Sequence, residues 1–410
     1  FALMRRLLLV LSLMSLLATA WAESDWITES NQHAQLVLEL LAKYNPERAS
    51  ALGVEGYDEE IKDLNPDLHD RLQMDVLTSA KLLKEKLGLA KDPNVKQDLG
   101  ILIKHLQDEY QTNKLEHELL LPYHNLSQEI YQGFQQLLDP RVDNARYPAA
   151  IARLKKYNGT TEGYAPITKL ARERTREAFT RPDLIGPYEN ELSQDRENSD
   201  SFLAGIKKLF VKAGLDGWQE DFQLLEKQLL DYERWLVKEL HPKARKSHLL
   251  PEVLYADSLK NFGVEMAPRE LIRRAQFGFA EIRAEMEALA RRRALEKGYP
   301  FSDYREVVRV LKKEQTSSEE ILDLYKRRLA EIEEVIRKHQ IITLPKRDVV
   351  IRLATEAESA SIPAPHLSTP QLIGNTGQPI YFVMPLNNPN SDSKAKMDDF
   401  THQAAAWTLT

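Results

Sequence analysis

Apolar side chains recur at intervals of three and four residues from Ser30 to Lys338, and alternation of apolar and polar residues is scarce there. This period places the apolar residues on one face of a helix, and a helix of that kind must bury that face against another element. The clearest run extends from Pro268 to Lys297, with proline in the first turn, where its missing N–H costs no hydrogen bond. The sequence therefore predicts a mostly α fold.

Prolines and capping residues divide this region into separate helices. Asn45-Pro46 is predicted to end the first helix, Pro122 a later one, and Asp139-Pro140 the next. A Ser-Ser-Glu-Glu run at 317–320 has the spacing of a capping box. Besides the first helix and 268–297, helices are expected at 95–120, 126–138, 148–157, 166–179, 190–212, 218–240 and 317–339.

The composition changes at Leu344. Seven of the 20 prolines lie between Leu344 and Pro389, and two short β-prone runs occur at 349–353 and 380–384. A turn-forming loop, 373–377, lies between the two runs, and a last helix begins near 398. We therefore predict a helical domain over 23–343, followed by a strand and loop segment with the start of a further helix over 344–410.

The N-terminal residues have the pattern of a Sec-type signal peptide. Two arginines precede the apolar run Leu7–Leu17, and an Ala-Trp-Ala site follows at 20–22. Residues 1–3 are interpreted as lying upstream of an initiator Met4, so 1–22 are expected to be absent from the mature protein. The prediction is a periplasmic or secreted protein.

Charge and cysteine content exclude several classes of protein. The chain has 56 basic and 62 acidic residues, a net charge of −6, which argues against a nucleic-acid partner. The given sequence contains no cysteine, so we expect neither the lipobox cysteine of a lipoprotein nor a thiolate zinc site. No stretch after the signal is apolar enough to predict membrane insertion.

Chemical motifs in the sequence are few. It contains no phosphate-binding loop, no dinucleotide-binding glycine pattern and no serine nucleophile elbow. His117-Glu118 resembles the start of a zinc-peptidase helix motif, but leucine stands at position 121, where the second histidine is required, and Pro122 follows. The residues by themselves therefore predict no reaction.

Several segments, in the same order along the chain, resemble one bacterial family, called domain of unknown function 885. The most characteristic are VVIRLATEAESA at 349–360, PAPH at 363–366, LIGNTG at 372–377 and AAAWTLT at 404–410. Further similar segments lie at 121–125, 132–134, 254–259, 262–264 and 399–401. The resemblance covers roughly 30–410.

The resemblance implies a zincin-like metallopeptidase: a multi-helix shell around a cleft, of the neurolysin and carboxypeptidase Taq type, with a small β element. Zinc is the implied cofactor and a peptide or protein the implied substrate, with a glutamate taking a proton from the zinc-bound water. In the family, the zinc signature directly follows the segment that matches 407–410. The chain is therefore expected to be a fragment that ends before its metal ligands and to be inactive by itself.

The resemblance also implies an edge strand that pairs with an extended substrate. Residues 374–384 are the candidate for this strand and its preceding turn, with Asn375, Thr376, Gly377 and Tyr381 as cleft contacts. The alternative is a structural turn with a tyrosine packed in the core. For the protein as a whole, the alternative to a periplasmic zinc peptidase is a non-catalytic helical protein that binds peptides or acts as a scaffold.

Overall fold

The computed structural model describes residues 26–260, 262–313, 316, 318–375, 377–386 and 408–409, without the side chains of Ser318 and Glu319. The predicted signal peptide, Thr376 and most of the last predicted helix lie outside these residues. The chain folds as two units, each of which packs mainly within itself. Unit 1 comprises the residues up to Tyr123 together with Ala149–Pro187, and unit 2 comprises His124–Pro148 and the residues from Tyr188 onward.

Helices dominate the described residues, as the apolar period predicts, and a small sheet lies towards the C-terminal end. Numbered in chain order, helices α1–α14 are 26–44, Pro46–Leu52, Leu68–Leu89, Pro93–Leu119, Leu126–Leu137, Ala149–Asn158, Ile167–Glu177, Glu189–Lys212, Gln219–Trp235, Glu252–Lys260, Pro268–Lys297, Tyr304–Leu311, Ser318–His339 and Glu356–Ser361. Strands β1–β3 are Val349–Leu353, His366–Ser368 and Ile380–Met384.

Most predicted helix boundaries agree with these bounds to within about three residues, the usual uncertainty at helix ends. The helix predicted over 218–240 differs in its last turn, because α9 ends at Trp235 and a π-helical turn, Leu236–Leu240, follows it. Asn45-Pro46 ends α1 as predicted, and Pro46 then begins α2 at once. Proline suits this position because the first helical N–H has no partner within the helix.

The core of unit 1 is formed mainly by α3 and α4, which pack against each other. Leu99 and Leu106 of α4 are fully buried, and they lie in one cluster with Val76 and Leu83 of α3. Burial of a leucine side chain contributes about 1.5–3 kcal/mol, so this contact accounts for much of the stability of the helix pair.

In unit 2, α8 packs against both α5 and α14. Gly205 of α8 makes this approach close: a Cβ atom there would lie 2.6 Å from the Cβ of Ala357 in α14 and 2.8 Å from the ring of Tyr131 in α5. Any side chain at position 205 would push these helices apart.

The sheet has the order β1-β3-β2, with β1 parallel and β2 antiparallel to β3. Ile351 pairs with Phe382, and both side chains belong to a buried cluster with Tyr325 of α13. Val350 pairs with Tyr381. Because side chains alternate along a strand, these two lie on the opposite face of the sheet, away from α13.

Both predicted strands are confirmed, but the expectation that 374–384 supplies an edge strand is wrong. β3 is the central strand, paired on one side with β1 and on the other with β2. The three-residue strand β2 lies in a segment flanked by Pro365 and Pro370, and it is too short to show alternation in the sequence. The domain boundary predicted between 343 and 344 falls within unit 2 and stays a prediction.

Candidate functional site

Unit 2 contains a cavity of about 480 Å³ on the face of the sheet that carries Val350 and Tyr381. Side chains from α5, α8, β1, α14 and β3 line it. A volume of this size accommodates a small molecule or a few residues of a peptide. The walls are largely apolar, and a few polar groups converge on them, which is the usual composition of a ligand site.

An ion pair between Arg352 and Glu358 forms one wall of the cavity. The Nη2 and Nη1 atoms of Arg352 donate to the two carboxylate oxygens of Glu358 at 2.6 and 2.9 Å. The same carboxylate accepts from the amide N–H of Thr355 at 2.7 Å and from Gln135 Nε2 at 2.9 Å. Burial acts to raise the pKa of Glu358, but the bonds from Arg352 and Thr355 outweigh it and hold the pKa below its usual value.

The position of Glu358 follows from local sequence. Thr355 is the N-cap of α14, its hydroxyl accepts from the N–H of Glu358, and the Glu358 carboxylate accepts from the N–H of Thr355. This capping box satisfies two backbone donors at the start of the helix and fixes the carboxylate beside Arg352.

Tyr381 of β3 has two guanidinium groups close to its ring. Arg141 lies 4.0 Å and Arg352 5.2 Å from the ring centre. Cations over an aromatic ring at these distances are attracted by its negative face. The Tyr381 hydroxyl has no hydrogen bond to any group in the part of the chain that the structure describes. Its ring is therefore held in place while its hydroxyl can bond to a ligand.

Of the four cleft residues predicted from the sequence, Tyr381 lines the cavity, whereas Asn375 and Gly377 do not. Asn375 Oδ1 accepts from the N–H of Gly377 at 2.8 Å, and its Nδ2 donates to the carbonyl of Gln371 at 3.0 Å. Gly377 has φ of 89°, a conformation that favours glycine. These bonds form a turn before β3, and Thr376 lies outside the described residues. The assignment of these residues to a substrate site stays a prediction.

Arg141, Arg352 and Glu358 belong to this site but are not among the residues that the sequence predicts. The Thr-x-x-Glu spacing at 355–358 was a signal for the capping box and for the position of the carboxylate. No local signal exists for Arg141, because the groups that it contacts on β2 lie 227 residues away in the sequence.

The implied zinc does not fit the described residues. Among them, no three histidine, aspartate or glutamate side chains lie close enough together to hold a metal ion. His117, in the near-match to a zinc motif, lies in the last turn of α4, and its ring stacks on His69. Within the described part of the chain, no helix combines the length and hydropathy needed to cross a bilayer.

The solved structures that resemble this fold include two bacterial proteins. One is "a putative lipoprotein of unknown function from Shewanella oneidensis", with 17% identity and a TM-score of 0.58; the match covers 94% of this chain and 68% of that one. The other, "the putative lipoprotein from Colwellia psychrerythraea", has 14% identity and a TM-score of 0.57, with 88% and 68% covered. No curated protein matches the sequence. The family described as "Bacterial protein of unknown function (DUF885)" matches residues 46–410, and the chain therefore belongs to this family.

Proposed function

We propose that this chain binds peptides in the cavity of unit 2, along the free edge of β1. The observation that carries the proposal is that β1 is an edge strand of the sheet and also supplies Val350, Arg352 and Leu353 to the lining of the cavity. An edge strand beside a pocket can bind an extended chain through backbone hydrogen bonds while the pocket takes its side chains.

The hydrogen bonds of the sheet identify the backbone groups that are available. Asp348 accepts from the N–H of Ile380, and Ala354 donates to the carbonyl of Met384, so the even-numbered residues of this stretch bond to β3. Because backbone groups alternate in direction along a strand, the N–H and C=O of Ile351 point to the other edge. In the described residues, no strand pairs with that edge.

The side chains around this edge suit a peptide. Leu138, Leu209 and Pro379 supply apolar surface for a side chain of the ligand. The Tyr381 hydroxyl and the Arg352 guanidinium provide donors for a peptide carbonyl. Together with the backbone of β1, they form a site with one apolar and one hydrogen-bonding side.

Zinc-dependent hydrolysis of the bound peptide is what the family resemblance implies. The described residues do not hold a ligand set for zinc, so we assign them a role in binding and positioning the peptide and assign no step of hydrolysis to them. Peptidase activity of the protein stays a prediction, to be tested by digestion of a peptide mixture with and without a chelator.

We also propose an extracytoplasmic location. The predicted signal peptide supports it, and so do the two structural relatives, both of which are described as putative lipoproteins. Expression with residues 1–22 intact, followed by fractionation and N-terminal sequencing, tests this proposal. Retention of the whole protein in the cytoplasm with an uncleaved N-terminus would contradict it.

Titration calorimetry with a pool of N-acetylated tetrapeptides tests peptide binding. A matching pool with N-methyl groups on alternate amides is expected to bind at least about fivefold more weakly, since two backbone donors are lost and each lost hydrogen bond costs about 0.5–1.5 kcal/mol. Tyr381→Phe is expected to weaken binding several-fold, and Tyr255→Phe, an exposed tyrosine on α10, is the control. Absence of heat with every peptide, from protein shown to be folded by circular dichroism, would overturn the proposal.

A further inference from the structure

We infer that the cavity selects peptides that carry a carboxylate, and that the ammonium group of Lys212 binds it. The inference rests on the peptide binding proposed above and adds the chemical class of the ligand. It comes from the charges around the cavity, where every acidic side chain of the lining already has a cation and one lysine has no partner among the described residues.

Two of the three acidic side chains of the lining are engaged by arginines. Asp139 accepts from Nε and Nη2 of Arg141, both at 2.9 Å. Glu358 accepts two bonds from Arg352. Bidentate pairs of this type are the strong ion pairs of proteins, so neither carboxylate is available to neutralise a further cation.

The third acid, Glu356, meets Lys208 at an Oε2–Nζ distance of 3.4 Å. Both side chains are more than half exposed, and an exposed pair of this kind is worth about 0–1 kcal/mol. Lys208 is therefore free to move to another anion at little cost. Glu356 balances at most one positive charge at this end of the cavity.

Lys212 lies one helical turn after Lys208 on α8, and both line the cavity. Lys212 has no ion pair or hydrogen bond to any group in the described ranges of the chain. Of these two lysines only Lys208 has a carboxylate partner among the described lining residues, so the positive charge of Lys212 is uncompensated there. A ligand anion removes this imbalance.

The apolar walls define the rest of the ligand. Leu209, adjacent to Lys208, and Val350 line the same cavity. Insertion of an apolar side chain there removes apolar surface from water, which favours binding in proportion to the area buried. The ligand that satisfies both conditions is a peptide with an apolar residue next to a carboxylate, which comes either from the chain terminus or from an acidic side chain.

Three probes separate these sources: N-acetyl-Ala-Ala-Phe with a free carboxylate, its carboxamide, and the carboxamide of N-acetyl-Ala-Glu-Phe. We expect at least one carboxylate probe to bind about two- to fivefold more tightly than the neutral peptide, the range for one exposed ion pair. Tighter binding of the first probe identifies the chain terminus as the source of the carboxylate, and tighter binding of the third identifies a side chain.

Substitution of the lysine assigns the contact. Lys212→Gln is expected to bring the affinity ratio between charged and neutral probes close to one, and Lys212→Arg is expected to keep it. Lys227→Gln, an exposed lysine on α9 that does not line the cavity, is the matched control and should leave the ratio unchanged.

The outcomes that would overturn each proposal are distinguishable by calorimetry. Equal affinity of the three probes, or a ratio that Lys212→Gln leaves unchanged, would overturn the carboxylate assignment while peptide binding stands. No binding of any probe or of the tetrapeptide pool would overturn both proposals. The predicted ratio should also fall towards one as ionic strength rises, because salt screens exposed charges.

Discussion

The guanidinium group of Arg141 lies 4.0 Å from the ring centre of Tyr381, and its nitrogens bond to the backbone of the segments around that ring. They donate to the carbonyl of Ser368 at 2.7 Å and to the carbonyl of Pro379 at 3.2 Å. Asp139 holds the same guanidinium with two further bonds. Arg141 is therefore the residue that positions Tyr381, because it joins the loop after α5 to β2 and to the residue before β3.

Replacement of Arg141 by alanine is expected to lower the free energy of unfolding by about 2–3 kcal/mol, because the Asp139 carboxylate loses its guanidinium partner and two backbone carbonyls lose a donor. Peptide affinity should fall at the same time, since the ring of Tyr381 loses one of its two cations. Urea denaturation and calorimetry measure the two effects. Arg234→Ala removes an exposed arginine that pairs with Asp231, and a change below about 0.5 kcal/mol is expected. Equal changes in the free energy of unfolding for Arg141→Ala and Arg234→Ala would contradict the role of Arg141 in positioning Tyr381.

The ion pair of Glu358 with Arg352 makes a specific pH dependence predictable. The pKa of Glu358 is lowered in the folded protein, below the value of about 4.3 for an unfolded glutamate. The ionised Glu358 carboxylate therefore stabilises the folded state fully above about pH 4.3, and this stabilisation is lost as pH falls through the lower pKa of Glu358 in the folded state. Glu358→Gln should cost about 1–3 kcal/mol at pH 7, and the deficit should shrink below about pH 4.

Urea denaturation of both proteins from about pH 7 to about pH 3 measures this dependence. Glu356→Gln is the control, because its pair with Lys208 is exposed and should contribute little at any pH. A deficit for Glu358→Gln that stays constant over the whole range would contradict the assigned protonation.

A stacked pair of histidines is expected to make the stability of unit 1 decrease in weak acid. The rings of His69 and His117 lie 3.7 Å apart at 9°. Burial lowers the pKa of both rings. The positive charge of His117 lowers the pKa of His69 further, and the positive charge of Arg181 lowers the pKa of His117. The negative charges of Asp70 and Glu118 act in the opposite direction on both rings but do not outweigh these effects. The neutral rings are thus favoured in the folded state.

An unfolded histidine has a pKa of about 6.5. The contribution of the neutral histidine pair to stability is therefore complete above that pH, and it is lost as pH falls through the lower pKa values of the two rings in the folded protein. His117→Phe keeps a ring in the stack without a titrating group. It is expected to flatten the decline in unfolding free energy between about pH 7 and pH 5, as measured by urea denaturation. Identical slopes for the variant and the natural protein would rule out the pair as the source of the dependence.

Gly205 is expected to tolerate no side chain. Alanine favours a helix by about 1 kcal/mol over glycine, but its Cβ would overlap Ala357 and the ring of Tyr131. We therefore expect Gly205→Ala to destabilise unit 2 by about 1–3 kcal/mol, the cost of overpacking a core. At Gly278 of α11 no described atom lies within 4 Å of the added Cβ, so Gly278→Ala should stabilise instead. Thermal unfolding that shifts in the same direction for both variants would contradict this view of the α8–α14 contact.

Local pattern accounts for the parts of the fold that were predictable. The bounds of α11 and of strands β1 and β3 agree with the sequence prediction, because proline at a helix start, glycine at its end and short β-branched runs act through neighbouring residues. The sequence also predicts Tyr381 as a cleft residue, and Tyr381 lines the cavity. The sequence predicts Asn375 and Gly377 as cleft residues as well. In the structure, the side chain of Asn375 and the backbone N–H of Gly377 instead form the turn before β3.

The sequence by itself determined that the chain is mostly helical, where β1 and β3 lie, and that the family is DUF885, since these depend on periodicity and on the order of short segments. Only the tertiary structure decided that β3 is central and that β1 is an edge strand among the described strands, because pairing depends on which strands meet in space. It also decided that Arg141 reaches Ser368 across 227 residues of sequence, and that Lys212 has no partner among the described residues of the cavity. Such contacts arise from the packing of distant elements, for which no local pattern exists.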